Sequence, residues 1–148
     1  DRGGPQLVLL DEPTSGLDAG QAAAVARAAQ ALAARGHTVV LTIHQPRSSI
    51  FAGFDDLLLL NRGRVIYHGQ ASDAVQYFTQ LGHPCPKNFN PADFMIDLVS
   101  SMNEDEDTKF QTDMRVAALA EVAADHWGVV TRQPARSSSP PAAAAAVP

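Results

Sequence analysis

The chain has 148 residues, of which 45% are hydrophobic, and its 16 acidic and 11 basic side chains give a formal net charge of −5. This length suits one domain at most, and the hydrophobic content is ordinary for a globular protein. An acidic balance without a stripe of Lys or Arg argues against a nucleic-acid partner. The single cysteine, Cys85, excludes an internal disulfide. The sequence has neither a signal peptide nor an apolar stretch near the roughly 20 residues that span a bilayer.

The first predicted element is a short strand at residues 7–10, which are all Leu or Val. A continuous apolar run is typical of a parallel strand with both faces covered, although a buried helix segment can look the same. The flanking residues decide between the two, because Gly and Pro on both sides leave no room for a helix. These breakers are Gly3, Gly4 and Pro5 before the run, and Pro13 and Gly16 after it.

A helix and a second strand follow. Asp18 and Gln21 have the spacing of a capping box, which predicts a helix from this point to about Arg35, with Gly36 as its stop. Residues 38–43 are apolar and β-branched, so they predict a second strand, and a strand, helix and strand in this order pair in parallel. The inner stripe of the helix is predicted to be Val25, Ala28, Ala29 and Leu32.

Polar residues stand where both predicted strands end. Asp11 and Glu12 follow the first strand and His44 follows the second, so they should meet at one edge of the sheet, where parallel sheets bind ligands. Asp11 suits Mg²⁺, held through water, and Glu12 suits the deprotonation of an attacking water, while His44 would contact a terminal phosphate. The plainer alternatives are that the carboxylates begin a solvated helix and that the histidine caps a turn.

The sequence from residue 56 onward predicts a β-hairpin followed by helices. Residues 56–60 and 65–68 predict antiparallel strands joined by a turn at 61–64, followed by helices at 71–81 and from Asn90 onward. The aromatic residues here are predicted to pack in a core and not to stack on the ring of a ligand. The acids at 104–107 predict a solvated linker more than a metal site, and 116–126 predict an Ala-rich helix. The aromatic residues predicted to pack in the core are Tyr67, Tyr77 and Phe78.

Two stretches carry a family resemblance. Residues 7–18, LVLLDEPTSGLD, resemble the Walker B segment and D-loop of an ABC-type ATPase, and residues 41–51, LTIHQPRSSIF, resemble the switch-histidine segment of the G subfamily of ABC transporters. The second string is the more specific. Residues 63–69 and 90–94 also match the G-subfamily pattern, so the resemblance covers residues 5 to about 100.

The resemblance implies a nucleotide-hydrolysis site that uses ATP and Mg²⁺. Asp11 would be the magnesium ligand and Glu12 the catalytic base, while His44 would contact the γ-phosphate as the switch histidine. The D-loop, residues 15–18, would touch a second nucleotide-binding domain. A transmembrane domain of the same or a partner chain would complete the protein, at the cytoplasmic face of a membrane. The residues predicted to bind the nucleotide are Asp11, Ser15, Gly16, Asp18 and Gln45.

The phosphate loop, the Q-loop and the LSGGQ signature of this family are missing, and the chain's only lysines are Lys87 and Lys109. We therefore expect an α/β fold that is part of a P-loop NTPase domain, in a fragment that is inactive alone. Residues 1–100 would be the C-terminal half of the nucleotide-binding domain, 101–132 an acidic linker with a possible helix, and 133–148 a disordered tail. The alternatives are a soluble ABC ATPase of repair or translation and a non-catalytic interaction fragment.

Overall fold

The computed structural model describes Gly4, residues 6–100 and residues 106–128. Strands and helices alternate at first, two consecutive strands follow, and a 3₁₀ turn at Ala71–Asp73 leads into the last three helices. The elements are β1 (Leu7–Leu10), α1 (Ala19–Ala33), β2 (Thr38–Leu41), α2 (Ser48–Phe51), β3 (Asp56–Asn61), β4 (Arg64–Gln70), α3 (Ala74–Gln80), α4 (Pro91–Val99) and α5 (Glu106–Trp127).

β1 and β2 pair in parallel, with a register that runs from Leu7 opposite Thr38 to Leu10 opposite Leu41. This pairing confirms the predicted strand, helix and strand unit. β2 ends at Leu41, earlier than the predicted strand at 38–43, although the amide of Thr42 still donates to the carbonyl of Leu10 at 3.0 Å. The hydrogen bonds between the two strands therefore continue up to the polar residues that follow each strand.

The capping box predicted for α1 is present. Asp18 Oδ1 accepts from the amides of Gly20 and Gln21 at 2.8 and 2.9 Å, and the side chain of Gln21 accepts from the amide of Asp18 at 3.3 Å. The helix ends at Ala33, before the predicted end, because a turn with Gly36 at φ +90° takes over.

The predicted inner stripe of α1 is wrong at one position. Ala28 is exposed, whereas Ala26 and Ala29 are buried, and Val25 and Leu32 are half-buried. The buried face is therefore turned toward Ala26. Alanine at most positions in this part of the helix leaves the sequence with little contrast from which to choose the buried face.

The prediction that β1 is covered on both faces is also wrong for the residues described. Leu7 and Leu9 are 64% and 68% exposed, and Val40 beside them on β2 is exposed as well. The other face, which includes Val8 and Val39, is half-buried. The physical reason is that α1 packs on β2 from one side only.

β3 and β4 form the predicted antiparallel hairpin, with Asp56 opposite Gln70 and Asn61 opposite Arg64. The residues with positive φ in the turn are Arg62 at +47° and Gly63 at +75°, the pair that a tight two-residue hairpin turn requires. The register is irregular between Leu59 and Leu60.

The main core lies where the hairpin meets α3, α4 and α5. Phe78 and Ile66 are fully buried, and Tyr67 is nearly so; the ring of Tyr67 lies 5.9 Å from that of Phe78 and 5.1 Å from that of Tyr77. These contacts confirm the packing role predicted for the three aromatic residues. The predicted cap at Asn90 is confirmed too, because its side chain accepts from the amide of Ala92.

α5 is longer than the helix predicted at 116–126. It begins at Glu106, so Glu106 and Asp107, which the sequence assigned to a linker, form its first turn, where acidic side chains favour the helix dipole. Its buried face packs against β4 and α4. The predictions for Glu104, Asp105 and the tail at 133–148 lie outside the described residues. The buried residues of α5 are Thr112, Val116, Leu119, Ala120 and Ala123.

Candidate functional site

The polar residues that follow β1 and β2 meet at one edge of the parallel pair. Glu12 and His44 line the same cavity of about 240 Å³, although they are far apart in sequence. They are brought together because parallel strands end at the same edge. The remaining lining residues are Thr14, Ser15 and Gly16.

Thr42 links the two strands at this edge. Its hydroxyl donates to Asp11 Oδ1 at 2.6 Å and accepts from the amide of Glu12 at 2.8 Å. One side chain on the β2 side therefore fixes both the carboxylate of Asp11 and the backbone of Glu12. Sequence analysis missed Thr42, and the signal that would have found it is register: Leu10 pairs with Leu41, so the next residues, Asp11 and Thr42, stand opposite each other.

Two residues at the site have a positive φ, a backbone conformation that residues other than glycine rarely adopt. Glu12 has φ +42° and Gln45 has φ +45°, in the left-handed region, where a residue with a Cβ costs about 1–2 kcal/mol. The hydrogen bond from the amide of Glu12 to Thr42 holds the first of these residues in place. Such strain clusters at functional sites, where the surrounding structure enforces it.

The loop that carries His44 is anchored at its far end. The Nδ2 amide of Asn90 donates to the carbonyl of Pro46 at 2.9 Å, and the side chain of Pro46 is buried. Asn90 at the same time caps α4, so the start of this helix and the histidine loop are tied together. His44 itself is exposed, as are Asp11 and Glu12.

The structure brings together some of the predicted nucleotide-binding residues and separates others. Ser15 and Gly16 share the cavity with Glu12 and His44, whereas Asp11 does not line it and accepts a hydrogen bond from Thr42. Gln45 lines a neighbouring groove. The carboxylate of Asp18 caps α1, so its present role is structural, and its contact with a nucleotide stays a prediction.

The donor set at the edge suits a phosphate with a hydrated metal ion. Within residues 6–100 and 106–128, no three His, Cys, Asp or Glu side chains gather into a cluster that could hold a metal. Mg²⁺ does not need such a cluster, because it keeps several waters and takes one or two carboxylates beside the phosphates. Asp11, oriented by Thr42, offers one such carboxylate. The cavity is lined by one carboxylate, two hydroxyls and an imidazole.

The chain resembles known transporters over most of its length. The ABC-2 type transporter family matches residues 44–122. ABC transporter G family member 1 of Dictyostelium discoideum is 50% identical over 103 residues, which are 70% of this chain and 13% of that protein. ATP-binding cassette sub-family G member 8 of Homo sapiens is 43% identical over 116 residues, which are 78% of this chain and 17% of that protein. Protein white of Drosophila melanogaster is 47% identical over 96 residues, 65% of this chain and 14% of that protein.

The chain therefore spans between 13% and 17% of the length of these relatives. The family match names the ABC-2 type transporter and not an ATP-binding domain. It therefore does not support the prediction that residues 1–100 are the C-terminal half of an ATP-binding domain. Across the described part of the chain, each helix is too short or too polar to cross a membrane. The chain belongs to the ABC-2 type transporter family, and its relatives show that it is a homologue of the G subfamily of ABC transporters.

Proposed function

We propose that this chain forms part of the ATP-binding and ATP-hydrolysing domain of a G-type ABC transporter, which couples hydrolysis to transmembrane transport of a lipid or other hydrophobic compound. The observation that carries the proposal is the shared cavity of Glu12 and His44 at the edge of the parallel strands. A carboxylate and an imidazole converging at this edge suit the hydrolysis of a phosphoanhydride such as the terminal bond of ATP.

Each residue has a role in this proposal. Asp11 holds Mg²⁺, and Thr42 keeps its carboxylate in one orientation through the 2.6 Å hydrogen bond. Glu12 takes the proton of the attacking water, and His44 contacts the terminal phosphate. Bound ATP and Mg²⁺ supply the phosphoryl group and the charge that neutralises it. The chain's own contribution is therefore to position these groups and to accept a proton.

The uncovered face of the parallel strands supports the view that this site is one half of a larger domain. Parallel sheets are normally covered on both faces, whereas Leu7, Leu9 and Val40 are exposed here. The sequence also contains no Gly-rich loop with a lysine to hold the other phosphates. We propose that other parts of the transporter provide that loop and cover the face.

The proposal includes the partners and the location. The turn at Ser15 and Gly16 is exposed beside the cavity, as a segment that touches a second nucleotide-binding domain must be. A transmembrane domain of the same or a partner chain would receive the conformational change. The whole protein would then sit with this domain at the cytoplasmic face of a membrane.

The test uses Glu12→Gln in the full-length transporter. ATP binding should persist, because the carboxamide keeps the shape of the side chain, whereas turnover should fall by about 10²–10⁴-fold with the loss of the base. Asp56→Asn on β3 is the matched control, since it also replaces a carboxylate by a carboxamide at an exposed position outside the cavity. An unchanged kcat in Glu12→Gln would remove Glu12 from this role.

The isolated chain gives a second test. It lacks a phosphate-binding lysine loop, so a purified sample should show no ATP turnover. Sustained hydrolysis that follows the protein through purification and disappears in Glu12→Gln would show that the chain is sufficient, and that the proposed division of the site is wrong.

A further inference from the structure

The outward face of α5 carries an apolar ridge that the fold does not use. Phe110 and Met114 are 67% and 59% exposed, and Ala118 and Val122 continue the line, also exposed. These four residues, which we call the outer ridge, are each spaced one helical turn from the next. The face that packs on the core lies on the other side of the helix. The outer ridge is therefore free of the chain's own core.

The shape of the outer ridge favours a helix as its partner. Side chains at successive i+4 positions form a continuous ridge, and such a ridge packs into the groove between the ridges of a second helix. Phe110 and Met114 supply the large side chains at one end, and Ala118 permits close approach in the middle. Exposed apolar surface of this kind marks interaction sites when polar residues border it.

The charges beside the outer ridge specify the partner further. Asp107, Glu121 and Asp125 are exposed on the same side of α5. The helix has one lysine and one arginine. Lys109 lies one turn before Thr112 on the side that packs on the core. Arg115 is turned away from the ridge, since its Nε donates to the carbonyl of Leu98 at 3.0 Å. The border of the outer ridge is thus acidic, so it is complementary to a basic surface.

The same acids disfavour a second copy of this chain as the occupant. In an antiparallel pair of α5 helices with Met114 against Ala118 of the other copy, Asp107 would face Asp125. Like charges placed opposite each other oppose such a pairing. Anionic lipid surfaces are disfavoured for the same reason. We propose that the outer ridge of α5 binds a basic amphipathic helix of a partner polypeptide, and this proposal does not depend on the nucleotide site.

The probe for this proposal is a labelled synthetic peptide with Leu at helical spacing and Lys on either side. It is titrated with the 148-residue chain and followed by fluorescence anisotropy. A second peptide with Glu in place of Lys tests the charge requirement. The Lys peptide should bind, with an affinity that falls as salt is added, and the Glu peptide should not.

Variants of the chain locate the contact. Phe110→Ser together with Met114→Ser should weaken binding of the Lys peptide by about tenfold or more, because exposed apolar anchors carry most of such an interface. Phe89→Ser is the matched control, since Phe89 is also exposed, at 44%, but belongs to the loop before α4 and not to α5. Glu121→Gln with Asp125→Asn should weaken binding and reduce its salt dependence. Circular dichroism of each variant confirms that the helices are retained.

Three outcomes would overturn the proposal. The first is equal affinity of the double serine variant and Phe89→Ser for the Lys peptide. The second is equal binding of the Lys and Glu peptides. The third is a dimer of the unmodified chain, seen by sedimentation equilibrium, that the double serine variant abolishes, because the occupant would then be a second copy.

Discussion

The positive φ of Glu12 makes a stability prediction that tests the site geometry without any nucleotide. At φ +42°, a side chain costs about 1–2 kcal/mol, and glycine removes this cost. Glycine also frees the unfolded backbone, which offsets about 0.5–1 kcal/mol of the gain. Glu12→Gly should therefore be about 0.5–1 kcal/mol more stable than Glu12→Ala. Both variants lose the carboxylate, so their difference reports on the backbone alone.

Asp11 provides the internal control. It is the preceding residue, it is also exposed, and its φ is not positive. No strain is relieved there, so Asp11→Gly should be less stable than Asp11→Ala by about 0.5–1 kcal/mol. The two positions thus predict opposite signs for the same pair of substitutions.

The assay is urea denaturation of the four variants, followed by far-UV circular dichroism. Fluorescence of Trp127 is the poorer probe, because its ring packs against Tyr67 and Tyr77 in the main core, away from the parallel strands. Amide exchange in α1 and β2 provides an independent measure of local stability. The same sign at both positions would refute the assignment of Glu12 to a strained, left-handed turn.

Three further predictions concern the site and the core. Thr42→Val removes the hydroxyl that joins Asp11 to Glu12, so it should weaken Mg²⁺-ATP binding by the full-length protein in isothermal titration, whereas Thr38→Val on the exposed face of β2 should not. Phe78→Ala should destabilise the chain by about 3–5 kcal/mol in chemical denaturation, because its ring is fully buried. Burial raises the pKa of Tyr67 above its ordinary value of 10.0, so the stabilisation that this phenol provides is present below that pH and is lost as the pH rises through the raised pKa. The melting temperature should fall less steeply over this alkaline range in Tyr67→Phe; an equally steep fall would contradict this prediction.

The sequence predicted the features that depend on local signals. The capping box at Asp18 and the glycine turn at Gly36 bound α1 on both sides, and the structure has both. The hairpin follows in the same way from two apolar runs and a turn at Asn61–Arg64. Because these signals lie within a few residues of each other, they act in the same way whatever surrounds them.

The sequence did not predict features that depend on distant packing. The apolar run of β1 shows that the strand prefers burial, but not which residues cover it, and among those described its outer face is bare. The acids at the start of α5 were assigned to a linker because acidic residues suit both a solvated loop and the first turn of a helix. The hydrogen bond from Thr42 to Asp11 could be recognised only once the register of the two strands was known.

Two of the uncovered apolar surfaces among the described residues differ in a way that bears on function. The face formed by Leu7, Leu9 and Val40 belongs to a parallel pair of strands, and parallel sheets are normally packed on both faces. As proposed above, we expect the rest of the same domain to cover it. The outer ridge on α5 stands on a helix that is already packed on its other face, and acids border it. The contact proposed there should therefore be sensitive to salt. If the rest of the catalytic domain covers the first surface and a docking partner covers the second, as we propose, the same chain would contribute to both hydrolysis and docking.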